Sequence, residues 1–542
     1  MPEITSIPTT QIPGREPAST REGDLTLSTD AAGASRAHTI TDGKQFFGHP
    51  RGLATLFFTE MWERFAYYGM RALLILFMTA ATDNVVTNPA GEVLRENPGL
   101  GFDLTTAAAI YGMYTALVYI LALPGGWVAD NLWGQRKAVF VGGCFIAAGQ
   151  ISLTLPWLPT FFLGLFLIII GTGLLKPNVS TIVGELYPEG GARRDAGFSV
   201  FYMGINIGAF IGPLLTGFFG EQYNWHYGFG IGAIGMILGL IQYKMGDKYL
   251  GECGDLKPEA AAEDVDGKTR KFYVVFAVSL LVIAGFAFLV SNGTIPLSLS
   301  QIASYLGYSV LVLVALYFVY LWTMGGHTAD ENQRLGVIFW LFLLIAVFWS
   351  GFEQAGTSLN LFAEGNTNRD LFGWLVPASW LQSINPIFII IFAPIFGSMW
   401  VWLDSKKMNP NLPLKAGLGL IFLAAGFFVI AWGAANATQG ALVSPAWLIV
   451  TYFLHTSGEL FISPIGLSAI TKLSPEKRVG QMMGIWFVGA ALGNLFAGLM
   501  AGTLDPDNPA ALFSTVGMMV GIVGIVGVLA SPVVRKMMRG VK

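Results

Sequence analysis

"TEMWERFAYYGMRALLILF", residues 59–77, is nearly long enough at ~1.5 Å per residue to cross a ~30 Å hydrocarbon core, yet it carries Glu60, Glu63, Arg64 and Arg71. At ~100° per residue these four, together with Tyr67 and Tyr68, have the spacing i, i+3, i+4, i+7, i+8, i+11 and fall on one stripe. Trp62, Phe65, Ala66, Leu73 and Leu76 make the opposite face apolar. One charge at the bilayer centre costs at least ~2.5–3.5 kcal/mol, so four on a lipid-facing helix are prohibitive. The stripe must face water or partners inside a bundle.

The whole chain supports that bundle. Of 542 residues, 54% are hydrophobic and 12% charged, against ~25% charged in soluble domains. Apolar runs recur over 51–80, 105–129, 138–156, 160–186, 195–220 and 226–245, then over 272–291 and 300–323. Six more follow, 335–363, 374–403, 414–434, 445–472, 481–503 and 511–535. This predicts an all-α polytopic membrane protein of 14 transmembrane helices. Two six-helix bundles, 47–245 and 334–542, flank a linker and inserted helix pair in 246–333. Residues 1–46, rich in Ser, Thr, Pro and Gly, are expected to be a disordered cytosolic tail rather than a signal peptide.

Placing both termini in the cytoplasm puts 26 of the 31 Lys and Arg residues in cytoplasmic segments. Only Arg95 and Arg369 fall in external loops, while Arg64, Arg71 and Lys176 lie inside spans. That asymmetry predicts the orientation, in a cell inner membrane or plasma membrane. A net charge of -3 suggests no nucleic-acid partner. Two cysteines, Cys144 and Cys253, are too few for a disulfide framework, and no metal or other cofactor is expected. Absence of HExxH, GxSxG or paired-Asp motifs leaves no catalytic candidates and argues against a membrane enzyme.

Partners for the stripe are Lys176 in "GTGLLKPNVSTIVGELY", Glu353 in "FWSGFEQAGTSLN" and Glu459 in "YFLHTSGELFISPIGLSAI". Four acids thus stand against three bases, spread over both halves. Such a set can be mostly paired, with one carboxylate left to bind and release a proton. Tyr119, Asn206, Asn385 and Ser463 supply donors and acceptors for a wet cavity, or plain interhelical hydrogen bonds. His455 reads as a hydrogen-bonded core histidine, and Trp349, Phe352 and Trp486 as bulky apolar surface near the charges. Two halves around a central path are common in secondary transporters, which alternate access to a midplane site. Opposite charges across a gate fit that mode better than an open channel.

Loop 125–137, "GGWVADNLWGQRK", resembles the signature of the major facilitator superfamily, with "GSMWVWLDSKKM" at 397–408 a weaker echo. More specifically, "EMWERFAYYG" is similar to the E-x-x-E-R-F-x-Y-Y signature of the proton-dependent oligopeptide transporters. "FYMGINIGAFIGP", "LLKPNVSTIVG" and "GELFISPIGLS" resemble further characteristic stretches, so the likeness runs from about Phe47 nearly to the end. The inserted helix pair matches the family's bacterial members.

The resemblance implies a major facilitator fold and inward transport of dipeptides and tripeptides with protons, by a monomer in the lipid bilayer. It also implies roles. Glu60, Glu63 and Arg64 would couple protonation to substrate, with Lys176 exchanging partners between a carboxylate and the peptide. Arg64 and Lys176 would hold the substrate carboxylate, and Glu459, helped by Asn385, its amino group. Tyr67, Tyr68, Tyr119 and Asn206 would bind the peptide backbone, with Ser463 and Trp486 beside them. Arg71 and Glu353 would form an extracellular gate that opens when Glu353 is protonated. Animal members carry a proton-handling histidine in their second helix; span 105–129 has none, so carboxylates must serve instead. A rival cargo is nitrate or another small anion, as in plant relatives, although a carboxylate such as Glu459 has no use beside an anion.

Overall fold

The computed structural model describes residues 45–541, apart from 89–90, 262–263 and 438–440. Of the expected tail, residues 1–44 lie outside the described residues, as do the side chains at 463–465 and 467–468, whereas its last two, Gln45–Phe46, form a short strand paired with His49–Pro50. The first six long helices are α1 Gly52–Thr79, α2 Leu104–Trp133, α3 Gln135–Leu153, α4 Leu158–Glu185, α5 Gly191–Gln222 and α6 Trp225–Gly246. Two more, α7 Val265–Ser291 and α8 Leu299–Met324, come from the insertion. The last six are α9 Ala329–Gly365, α10 Ala378–Ser405, α11 Leu412–Ala434, α12 Ala446–Leu473, α13 Val479–Ala501 and α14 Pro509–Met537.

Among the described residues, eleven of these are long and apolar enough to cross a membrane. The other three, α1, α3 and α12, complete the expected fourteen only if they too are read as spans. For α1 the reason is its charges: four ionisable side chains raise its polarity without shortening its 28 residues. Helix starts carry the chemistry expected of them. Asp103 caps α2 by accepting from the Thr106 N–H, which holds its carboxyl below the usual range. Ser298 with Gln301 and Thr328 with Glu331 form capping boxes at α8 and α9.

Within the first group, α1 packs on α5 and α6, and α3 on α4 and α6. Within the last, α11 packs on α12 and α14, and α9 on α13 and α14. The groups meet through α2 against α13 and α5 against α10. Helix α8 lies against α2 and α13, whereas α7 buries none of its residues. That α1 is an interior element follows from its burial: 22 of its residues are buried, including Phe65, Ala66, Leu73 and Leu76 on the face opposite the charges.

The basic loop after α2 is used structurally. Its last turn, Ala129–Trp133, is a π-turn, and Gly134 follows at φ 76°, a conformation that side chains resist. A Cβ there would also meet the backbone N of Leu256 at 2.7 Å. Arg136 then reaches the start of the linker, pairing with Asp247 at 2.7 Å and donating to the Gly251 carbonyl at 2.6 Å. The motif therefore staples the linker to the first helix group, besides placing positive charge at that end.

Backbones approach closely where α1 crosses α5, as they also do at the α2–α4 and α3–α4 crossings. A Cβ at Gly208 would meet the Met61 carbonyl at 2.2 Å, while one at Gly397 on α10 would meet nothing within 4 Å. Gly208→Ala should therefore destabilise by about 1–3 kcal/mol through overpacking. Gly397→Ala should be neutral or stabilising by up to ~1 kcal/mol, because alanine is the better helix former. Thermal unfolding of the two purified variants in detergent measures the contrast.

Candidate functional site

Five of the six stripe residues on α1, Glu60, Glu63, Arg64, Tyr67 and Arg71, are buried, with Glu63 fully so, and Tyr68 is half-buried. Arg64 sits between two acids: its Nε lies 3.0 Å from Glu60 Oε1 and contacts Glu63 Oε2. Its guanidinium also faces the Tyr67 ring, 5.2 Å from the centroid. Glu63 Oε1 and Glu60 Oε2 are buried with no hydrogen-bond partner among the described residues. A buried carboxylate oxygen without a donor is a cost to the folded state.

Lys176, one residue before Pro177 inside α4, places its Nζ 3.9 Å from the Tyr119 ring centroid. Among the described residues it forms no ion pair within 4.0 Å, although it lies within electrostatic reach of Glu60, Glu63 and Arg64. Two acids and two bases thus share one buried cluster on α1 and α4. Further along α1, Arg71 Nη1 is 2.7 Å from Glu353 Oε2 on α9, joining the two helix groups.

Beside these groups lies a chamber of about 240 Å3. Tyr68, Arg71, Tyr119 and Asn206 line it from the first helix group, and Glu353, Asn385, His455 and Glu459 from the last. Asn385 Nδ2 on α10 donates to Glu459 Oε2 at 3.2 Å and to Thr456 Oγ1 at 2.9 Å, which fixes the carboxylate on that wall. Asn206 spends its Nδ2 on the Tyr202 carbonyl at 2.9 Å, leaving its oxygen free to accept.

The expected residues are not all brought together: Glu60, Glu63, Arg64 and Lys176 are not part of the chamber lining, and Lys176 is joined to it only through the Tyr119 ring. Tyr67 is turned from the chamber and stacks on Tyr114, with ring centroids 6.5 Å apart. Trp486 faces an apolar crevice with Phe461 and Gly466 instead, because α13 presents that side of its helix to α12. The Ser463 side chain lies outside the described residues. His455 is buried in the core as expected, its ring packed on Phe427 at 4.7 Å and reaching the chamber wall, but neither ring nitrogen has the expected hydrogen-bond partner among the described residues. Tyr202, Gln382 and Tyr452 line the chamber without having been expected there. Tyr202 stands four residues before Asn206, one helical turn, and that spacing could have flagged it.

The chamber is shut at one end. Across the groups, Asn360 donates to the Ala72 carbonyl, Trp380 to that of Leu214, Ser383 to that of Phe210 and Gln222 to that of Leu375. With the Arg71–Glu353 pair, these lie toward the C-terminal ends of α1, α5 and α9 and around the N-terminal end of α10.

A polytopic bundle with a charged chamber between two helix groups, closed at one end, has the build of a secondary transporter. Residues 136–517 match the sequence profile of the POT family. The chain belongs to that family. It is 43% identical over 477 residues to the peptide transporter YePEPT of Yersinia enterocolitica, covering 86% of this chain and 90% of that one. It is 36% identical over 507 residues to a di-/tripeptide transporter of Lactococcus lactis subsp. cremoris, covering 92% and 98%. A crystal structure of peptide transporter POT in complex with sulfate superposes with a TM-score of 0.84 at 39% identity, covering 94% and 99%.

Removing one member of a buried ion pair leaves the other uncompensated, a loss of about 3–5 kcal/mol. Arg71→Gln and Glu353→Gln should each loosen the closed end, and the double variant should cost less than the two singles added. A double-mutant cycle on the closed-to-open equilibrium, read by spin-label distances across that end, checks the coupling.

Proposed function

We propose that the chain is a proton-coupled symporter that imports dipeptides and tripeptides by alternating access. The observation that carries the reading is a chamber lined by Arg71 of α1 and by Tyr119, over whose ring Lys176 lies, on one side and by the Glu459 carboxylate, held by Asn385, on the other. A peptide zwitterion has the complementary polarity, its carboxylate facing the bases and its ammonium facing Glu459. Because its two ends engage different helix groups, cargo favours drawing them together. Recognition by termini and backbone leaves side chains of varied size tolerable.

Charge balance supplies the coupling. Glu60, Glu63, Glu353 and Glu459 against Arg64, Arg71 and Lys176 leave the empty site with one net negative charge. A zwitterion adds none, so one proton is the smallest number that makes the loaded site neutral and able to cross without an uncompensated charge. The seat of that proton is the Glu60/Glu63 pair: protonating either carboxylate weakens its hold on Arg64 and frees the guanidinium for the substrate carboxylate. Lys176, unpaired and stacked on Tyr119, is poised to join it. One charge moving through 100 mV supplies ~2.3 kcal/mol, and one pH unit ~1.4 kcal/mol, enough for substantial accumulation.

Both termini lie in the cytoplasm in this reading, and the shut end with Arg71 and Glu353 is extracellular. The chain is then captured facing inward. An anion carrier fits less well, since Glu459 beside the chamber repels a lone nitrate.

In proteoliposomes with an imposed pH gradient, dialanine uptake should be driven inward and collapse with an uncoupler. Glu63→Gln and Glu60→Gln should abolish gradient-driven uptake while sparing counterflow; unchanged gradient-driven uptake refutes the coupling assignment. Unlabelled dialanine should compete for uptake and nitrate should not, with the reverse result favouring the anion reading.

A further inference from the structure

Glu221, the penultimate residue of α5, is absent from the charge network described above and from the chamber lining. Its carboxylate crosses to the other helix group. There Oε2 accepts the Ala378 N–H at 2.6 Å and Oε1 accepts the Ser379 N–H at 3.0 Å. These two N–H groups open the helical turn 378–383 that continues into α10. Helix-start N–H groups have no intrahelical partner, and a carboxylate is the strongest cap for them. Pro377 precedes the turn, and no side chain of its own caps it.

Arg369 reinforces the arrangement. Its Nη1 is 3.8 Å from Glu221 Oε2, while the same guanidinium donates to the carbonyls of Val376 and Glu364. Gln222 adds its bond to Leu375, and Ser379 packs on Gly217, where a Cβ would meet its hydroxyl at 2.0 Å. The helix so capped carries Gln382 and Asn385 of the chamber wall.

We propose that Glu221 is a gating residue, a latch that holds the closed end shut by capping α10 across the two helix groups. It shares no partner with the Arg71–Glu353 pair, so the chamber is closed by two separate electrostatic locks. Opening that end requires both to release, and loss of either alone shifts the balance toward the open state.

The test uses the full chain in nanodiscs, with Cys144→Ser and Cys253→Ser and spin labels at Leu94→Cys and Phe372→Cys. Both labelled side chains are exposed on the hairpins of the closed end. Glu221→Ala should raise the open-to-closed ratio about tenfold, equivalent to ~1.4 kcal/mol. Glu221→Gln, which keeps the shape and one acceptor, should give a smaller shift in the same direction and guards against misfolding of the alanine variant. Combined with Arg71→Gln, the effects should add. Unchanged distance distributions in both Glu221 variants overturn the latch.

A second readout rests on the peptide reading. Dialanine should bind more tightly from the closed-end side and more weakly from the opposite side in Glu221→Gln, as populations shift. Equal weakening from both sides would mean that Glu221 only positions α10, and would overturn the gating role. The distance measurement needs no substrate, so failure of the latch is distinguishable from failure of the peptide assignment.

Discussion

Arg64 between Glu60 and Glu63 is the interaction on which the rest depends, because no charge inside a bilayer is tolerable unless something neutralises it. Keeping that charged triad out of lipid requires α1 to sit inside its helix group, with most of its residues buried and Tyr68 left at the chamber. It also brings α4 close enough for Lys176 to share the cluster, and α9 close enough for Glu353 to meet Arg71. The architecture follows from neutralisation more than from apolar packing, since lipid tails offer helices no hydrophobic reason to associate.

The same requirement makes the site responsive. In the symport reading proposed above, one proton neutralises the set, and the link to cargo comes from the guanidinium that this proton frees, without any dedicated relay. The buried, unpaired oxygens of Glu60 and Glu63 and the unpaired Lys176 are costs in this arrangement, which the arriving proton and cargo relieve in the symport reading proposed above. Rigidity at the closed end complements this. Carbonyl-directed bonds from Trp380, Ser383, Gln222 and Asn360 hold the two groups in one register, while the chamber remains between them.

Much of this was legible in the chain itself. Span positions agree with the observed helices within a few residues, apart from the start of α7, which begins at Val265 rather than 272, and the start of α9, at Ala329 rather than 335. Length and apolarity decide them, and capping residues such as Ser298 and Thr328 extend the starts beyond the apolar run. The stripe on α1 was legible because 3.6-residue periodicity fixes which side chains share a face. Family resemblance added the pairing of Asn385 with Glu459, which the structure joins by a hydrogen bond.

Sequence by itself therefore determined the helical spans, the relative phase of residues on each helix and the inventory of charges that had to meet inside the bundle. Rotation of each helix against its neighbours was decided only in three dimensions. That rotation turns Tyr67 and Trp486 away from the chamber and brings Tyr202, Gln382 and Tyr452 to it. Likewise Glu221 reads in the chain as an ordinary acid at a helix end. Its role depends on two backbone N–H groups more than 150 residues away, and backbone donors carry no mark in a sequence.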